Sequence, residues 1–125
     1  MRLRCLIVDD NADFLLAARE LLEGDGLDVV DVATTGDKAV ARAEELRPDV
    51  ILVDVYLARE SGFELADRLA ASASQRSSVI LISTYAERDL SELVTASPAV
   101  GFLTKGELSG HAIRATLGIT GSPGR

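Results

Sequence analysis

The chain has 125 residues, 47% of them hydrophobic and 26% charged, a length suited to one domain and a composition that is globular rather than disordered. Thirteen basic against twenty acidic residues leave a net charge of −7, which argues against direct binding to nucleic acid or to an anionic lipid surface. The single cysteine, Cys5, can make no internal disulfide and reads as a reduced core thiol, and no apolar stretch approaches the ~20 residues needed to span a bilayer, so a cytoplasmic protein with no membrane partner is expected.

Leu3 to Val8 is a short apolar run bounded by charge, the pattern of a buried strand. Asn11 offers a cap and Asp13 a first-turn carboxylate for a helix whose inner face is Phe14, Ala18, Leu21 and Leu22, stopped by Gly24 and Gly26. Val29 to Ala33 reads as a second strand. Thr35 can cap a second helix with Ala39, Val40, Ala43 and Leu46 inward, and Arg47-Pro48-Asp49 ends it. Val50 to Val53, almost purely aliphatic, is a third strand that runs directly into Asp54. After a loop to Ser61-Gly62 comes a third helix carrying Phe63, Ala66, Leu69 and Ala70. Ser72 to Ser78 is a polar connection to a fourth strand, Val79 to Ile82. Leu90, Leu93 and Val94 mark the core side of a short fourth helix that stops near Pro98. Val100 to Leu103 is a fifth strand and Leu108 to Leu117 a last helix. Ile119 to Arg125, rich in Gly, Ser and Pro, reads as a flexible tail, which leaves residues 1–118 as the domain.

Strands alternating with helices, and aliphatic throughout, imply a parallel sheet covered on both faces. In such sheets a ligand site lies beyond the carboxyl ends of the strands. Asp9 and Asp10 follow the first strand and Asp54 the third; Ser83 and Thr84 follow the fourth, and Lys105 lies just past the fifth. Alone, each has a plain explanation as a helix cap, a turn residue, a satisfied hydroxyl or a surface lysine. Their joint placement on one rim points to chemistry. Two carboxylates about 4 Å apart repel by roughly 4 kcal/mol at an effective dielectric near 20, and a hard divalent cation such as Mg²⁺ removes that cost. An aspartate can accept a phosphoryl group as an acyl phosphate, a transfer that needs placement and charge neutralisation more than covalent help.

With these motifs in place, the sequence resembles the response-regulator receiver family from residue 3 to 118. The resemblance rests on Leu6-Ile7-Val8-Asp9-Asp10, Val50 to Asp54, Gly62 eight residues later, Ile80 to Thr84 and Gly101 to Lys105. It implies an α/β, flavodoxin-like three-layer sandwich with a five-stranded parallel sheet in the order 2-1-3-4-5 and five helices. It further implies Asp54 as phosphoacceptor; Asp9, Asp10 (the more direct of the two), Asp54 and the Tyr56 carbonyl as Mg²⁺ ligands; and Lys105 and the Ser83 hydroxyl as groups that meet the phosphoryl. Ser83 and Phe102 match the switch pair, although Phe102 taken alone reads as core. Tyr56, Thr84 and Tyr85 occupy positions that tune access of water to the phosphoryl group. Two departures stand out. Ala58 replaces a common proline in the loop after the acceptor, and Gly106 replaces the proline that often follows the lysine.

The resemblance implies a signalling switch rather than a turnover enzyme. Its donor would be a sensor histidine kinase or phosphotransfer protein, since the one histidine, His111, lies on the last helix and reads as exposed. Its output would be a downstream protein target, with phosphorylation-dependent homodimerisation also open. A stand-alone regulator is expected, because only Ile119 to Arg125 follow the last helix. The alternatives are a degenerate receiver that binds partners without phosphorylation, a flavin or nucleotide carrier, and an aspartyl-phosphate phosphatase. A carrier would need a Gly-rich turn after the first strand, and a phosphatase would place its nucleophile there.

Overall fold

A computed structural model of the chain describes residues 2–72, 77–85 and 90–119. The elements, in chain order, are β1 (Arg4–Val8), α1 (Ala12–Gly24), β2 (Asp28–Ala33), α2 (Gly36–Leu46), β3 (Val50–Asp54) and α3 (Gly62–Ala71). They continue with β4 (Ser78–Ser83), α4 (Ser91–Ala96), β5 (Gly101–Thr104), a 3₁₀ turn (Lys105–Glu107) and α5 (Gly110–Thr116). The strands of the sheet pair in parallel, in the order β2-β1-β3-β4-β5, as the resemblance implies. Part of the polar connection expected from Ser72 to Ser78, and the tail beyond Ile119, lie outside the described residues.

Side chains alternate across the sheet, so the two faces build two separate cores. Leu6, Val8, Ile51, Val53, Val79, Leu81 and Phe102 pack on one side with α2 and α3 residues such as Ala39, Ala43, Leu65 and Leu69. Cys5, Ile7, Val50, Leu52, Ile80, Ile82 and Leu103 pack on the other with Leu15, Ala18 and Leu22 of α1 and Ile113 of α5. Both faces are covered, which is why the strands read as unbroken aliphatic runs. Cys5 is fully buried, and burial pushes its thiol up to about 12, so it stays protonated.

The caps fall where short polar side chains stand. The Asn11, Thr35, Ser61 and Ser109 side chains accept the N–H groups of Phe14, Lys38, Phe63 and Ala112 and start α1, α2, α3 and α5. At the other end of α2, Arg47 adopts a left-handed conformation, φ 49°, and Arg4 donates to the Leu46 and Arg47 carbonyls.

Several expected helix faces are corrected. In α1 the buried stripe is Leu15, Ala18 and Leu22, and Leu21 is 46% exposed because it lies off the edge of that stripe. In α3, Leu65 rather than Ala70 completes the inner face. Around α4, Leu90 is buried just ahead of the helix, Val94 is half-buried, and Leu93 turns outward. Val100 is exposed and β5 begins at Gly101. Leu108 precedes α5 because the Ser109 hydroxyl caps that helix at Gly110.

Candidate phosphoryl and metal site

The C-terminal rim of the sheet gathers its polar residues from β1, β3 and β5. Asp9 continues β1, held there by its N–H donating to the Ala33 carbonyl of neighbouring β2 at 3.0 Å. Its carboxylate is fully buried. Oδ1 accepts the Asn11 N–H at 2.9 Å, which tightens the turn into α1. Oδ2 makes no aligned hydrogen bond; its near neighbour is the Lys105 ammonium at 2.6 Å.

Asp54 ends β3 and is also buried. Its Oδ1 accepts the Tyr56 N–H at 3.2 Å, and its Oδ2 lies 3.4 Å from Lys105 Nζ. Burial, and then the nearby Asp9 charge, push the Asp54 carboxyl above its ordinary value; Lys105 and the Tyr56 N–H oppose the shift without cancelling it. Burial works against the Lys105 charge too, but the Asp9 contact and the Asp54 charge outweigh it, so the ammonium titrates above its ordinary value. Lys105 is placed by the 3₁₀ turn that follows β5. There Glu107 Oε1 accepts both the Thr104 N–H at 3.2 Å and the Thr104 hydroxyl at 2.8 Å.

Asp10 is exposed beside this pair, and one carboxylate oxygen each of Asp9, Asp10 and Asp54 lie within 4.8 Å of one another. An all-oxygen donor set with one buried carboxylate oxygen lacking a hydrogen bond fits a hard divalent cation that keeps several waters. Tyr56, which offers a backbone carbonyl, lines the cleft at the same edge as Asp54. The bonds that close the loop around it run from Gly62 N–H to Val55 and from Leu57 N–H to Glu60, so they leave that carbonyl free of the loop closure.

An open cleft beside the acids is lined by Asp54, Tyr56, Thr84, Tyr85 and Lys105. The two tyrosine rings pack edge to face, 5.6 Å between centroids, and each is more than half exposed. Ser83 and Phe102 are not among the residues that line this cleft. Ser83 is fully buried with its Oγ accepting the Tyr85 N–H at 3.0 Å, and Phe102 packs within the core that holds α2 and α3. His111 is exposed on α5, as expected, and no helix among the described residues is long and apolar enough to cross a membrane.

One neighbour of the site escaped the sequence reading. The Phe14 ring, in the first turn of α1, lies under the Lys105 ammonium, 4.3 Å from Nζ to the ring centroid. Its helical spacing marked it only as an inner-face residue. The Thr104 and Glu107 pair, by contrast, carries a Thr-x-x-Glu capping signature that is visible in the sequence.

Similarity to known proteins follows the same lines. The chain is 29% identical over 102 residues to the transcriptional regulatory protein PdtaR of Mycobacterium tuberculosis, covering 82% of this chain and 49% of that protein. It is 32% identical over 106 residues to a protein-glutamate methylesterase/protein-glutamine glutaminase of Thermotoga maritima, covering 82% of this chain and 30% of that one. The chain thus spans half or less of the length of these curated relatives. Among solved structures, the signal receiver domain of a modulated diguanylate cyclase from Desulfovibrio desulfuricans G20 superposes with a TM-score of 0.78 at 29% identity, covering 94% of this chain and 92% of that one. The response regulator domain of Thermotoga maritima CheB superposes with a TM-score of 0.74 at 28% identity, covering 94% and 90%. The family model described as the response regulator receiver domain matches residues 5–116, nearly the whole folded unit. With sheet order, rim residues and sequence match in agreement, the chain belongs to the response regulator receiver domain family of two-component signalling.

Proposed function

We propose that the chain accepts a phosphoryl group on Asp54 from a histidine kinase or phosphotransfer protein, with Mg²⁺ bound at Asp9, Asp10, Asp54 and the Tyr56 carbonyl. The observation that carries this reading is the meeting of Asp9, Asp54 and Lys105 at one buried rim, with Lys105 Nζ 2.6 Å and 3.4 Å from the two carboxylates. In the transfer, an Asp54 carboxylate oxygen bonds to phosphorus as the P–N bond to the donor imidazole breaks, and the electron pair leaves with the imidazole. The cation supplies positive charge that screens the acids and the incoming phosphoryl oxygens. Lys105 moves from its Asp9 contact toward the phosphoryl group, and Ser83 donates its hydroxyl to a phosphoryl oxygen. Phe102 repacks with Ser83 and changes the protein-binding face of α4, β5 and α5, a two-state shift biased by local charge.

Tyr56, Thr84 and Tyr85 line the water path to Asp54, and the packed tyrosine pair slows hydrolysis of the acyl phosphate. Loss of phosphate is therefore faster in Tyr56→Ala and Tyr85→Ala; unchanged lifetimes would remove that role. In this reading residues 1–118 act as a cytoplasmic receiver whose target is a protein rather than nucleic acid. Intact-mass measurement after incubation with Mg²⁺ and a small phosphodonor tests the central claim. One added phosphoryl group is expected, absent in Asp54→Asn and blocked by chelator. No addition from several donors would leave a receiver that binds partners without phosphorylation.

A further inference from the structure

The Lys105 ammonium sits in a closed ring of contacts, most of which originate at the turn between β1 and α1. Asp9 Oδ1 accepts the Asn11 N–H at 2.9 Å, and Asn11 Oδ1 accepts the Phe14 N–H at 3.0 Å. The Phe14 ring lies 4.3 Å from Lys105 Nζ, and Lys105 Nζ returns to Asp9 Oδ2 at 2.6 Å. The same cap that starts α1 therefore fixes the backbone on which an aromatic face meets the lysine. In this arrangement the ammonium is nearer to Asp9 than to Asp54, at 2.6 Å against 3.4 Å. A cation held by Asp9 competes for the carboxylate that anchors the lysine more closely. Of the lysine's two other neighbours, Asp54 changes when it is phosphorylated, whereas the Phe14 ring does not. An aromatic face attracts a cation through its quadrupole, more strongly when the pair is shielded from water, and the Lys105 side chain is only 17% exposed.

We propose that Phe14 is a positioning residue for the phosphoryl chemistry, its ring holding the Lys105 ammonium beside Asp54 once Asp9 is engaged by the divalent cation. This rests on the reading of Asp54 as phosphoacceptor. A leucine at position 14 keeps the apolar packing of α1 and removes the quadrupole. A tyrosine keeps both. Successive fluorination of the Phe14 ring leaves its shape nearly unchanged and drains the negative face, so it separates electrostatic positioning from packing.

The test uses the intact chain, Mg²⁺ and acetyl phosphate, with the labelling rate followed by mass and the Lys105 side-chain resonances followed by NMR. Phe14→Leu is expected to label about five-fold more slowly and Phe14→Tyr close to the parent rate, with the rate falling stepwise as fluorines are added to Phe14. The Lys105 methylene resonances next to Nζ are expected upfield in the parent from the ring current. They move downfield in Phe14→Leu, in Mg²⁺ and in chelator alike. Should Phe14→Leu prove unstable in urea, the fluorinated series carries the decision. A parent that labels while the fluorinated series stays flat, or Lys105 resonances that do not sense the ring, overturns the role of Phe14 and leaves the phosphoacceptor reading intact. A parent that never labels overturns both.

Discussion

Replacing Gly62 with alanine tests how tightly the loop after Asp54 is built. A Cβ at this position would fall well inside contact distance of the Asp54 carbonyl oxygen, and 2.8 Å from both the Asp54 carbonyl carbon and Val55 Cα. All three are backbone atoms at the end of a buried strand, so no side-chain rotation relieves the clash. Overpacking of this kind costs about 1–3 kcal/mol. The shift that relieves it stretches the 2.7 Å bond from Gly62 N–H to the Val55 carbonyl, worth about 1 kcal/mol more. The sum, about 2–4 kcal/mol, corresponds to a fall in Tm of roughly 8–16 °C for a domain of this size. Urea unfolding should show the lower midpoint with an unchanged slope, because the surface exposed on unfolding is the same. Labelling of Asp54 should drop as well, since the displaced backbone carries the Asp54 carboxylate and the Tyr56 carbonyl. Gly24→Ala is the matched control. Nothing lies within 4 Å of its added Cβ, and the substitution should be stabilising by about 0.5–1 kcal/mol through helix propensity. A Gly62→Ala protein within about 0.5 kcal/mol of its parent would refute the close-approach argument.

Lys105→Met keeps the aliphatic stem and leaves the fully buried Asp9 without its counter-charge, so a loss of about 3 kcal/mol is expected in urea, partly recovered when Mg²⁺ is added; a loss below about 1 kcal/mol would contradict the buried pairing. Asp54 titrates above its ordinary value, so the folded chain holds that proton more tightly than the unfolded chain does. The penalty of ionising it is absent below the unfolded carboxyl pKa, grows as pH rises through the folded value, and is complete above it. In chelator, Asp54→Asn should therefore be more stable than the parent at neutral pH, with the gap closing on acidification; parallel stability curves would sink this account. Arg47→Gly relieves the left-handed backbone at the end of α2 and should be stabilising by about 1 kcal/mol in thermal melts, whereas a destabilised variant would show that the Arg47 side chain matters more than its φ.

Strand positions were legible because a sheet covered on both faces must be aliphatic along its whole length. Once the strands were placed, the rim residues Asp9, Asp54 and Lys105 followed from chain order alone. Helix faces were read less well, and for a definite reason. Leu16, Leu21 and Leu93 are exposed apolar side chains that mimic core positions in a periodicity argument, while Leu15 and Leu65 were passed over beside them. The resemblance supplied Ser83 and Phe102 as a pair, but no pattern in the chain discloses that both are buried. Phe14 marks the sharper limit. Spacing says that it turns inward, and only the fold says that what it meets there is a lysine from the far end of the sequence.

The two cores on opposite faces of the sheet constrain how such a chain can change length over evolutionary time. In β1, β3, β4 and β5 each buried residue is committed to one core by whether its position is odd or even, whereas in β2 an irregular register lets Val29 and Ala33 face opposite cores. Asp9 and Asp54 fall in step with the residues that face α1 and α5, and Ser83 and Phe102 with those that face α2 and α3. Loss or gain of one codon within β1, β3 or β4 would exchange those assignments, turning an acid toward the wrong layer and a row of aliphatic residues with it. Loops on the far edge of the sheet carry no such parity. Length variation among descendants of this chain is therefore expected to accumulate in the connections, while the number of residues between the middle of each of these strands and the rim stays fixed.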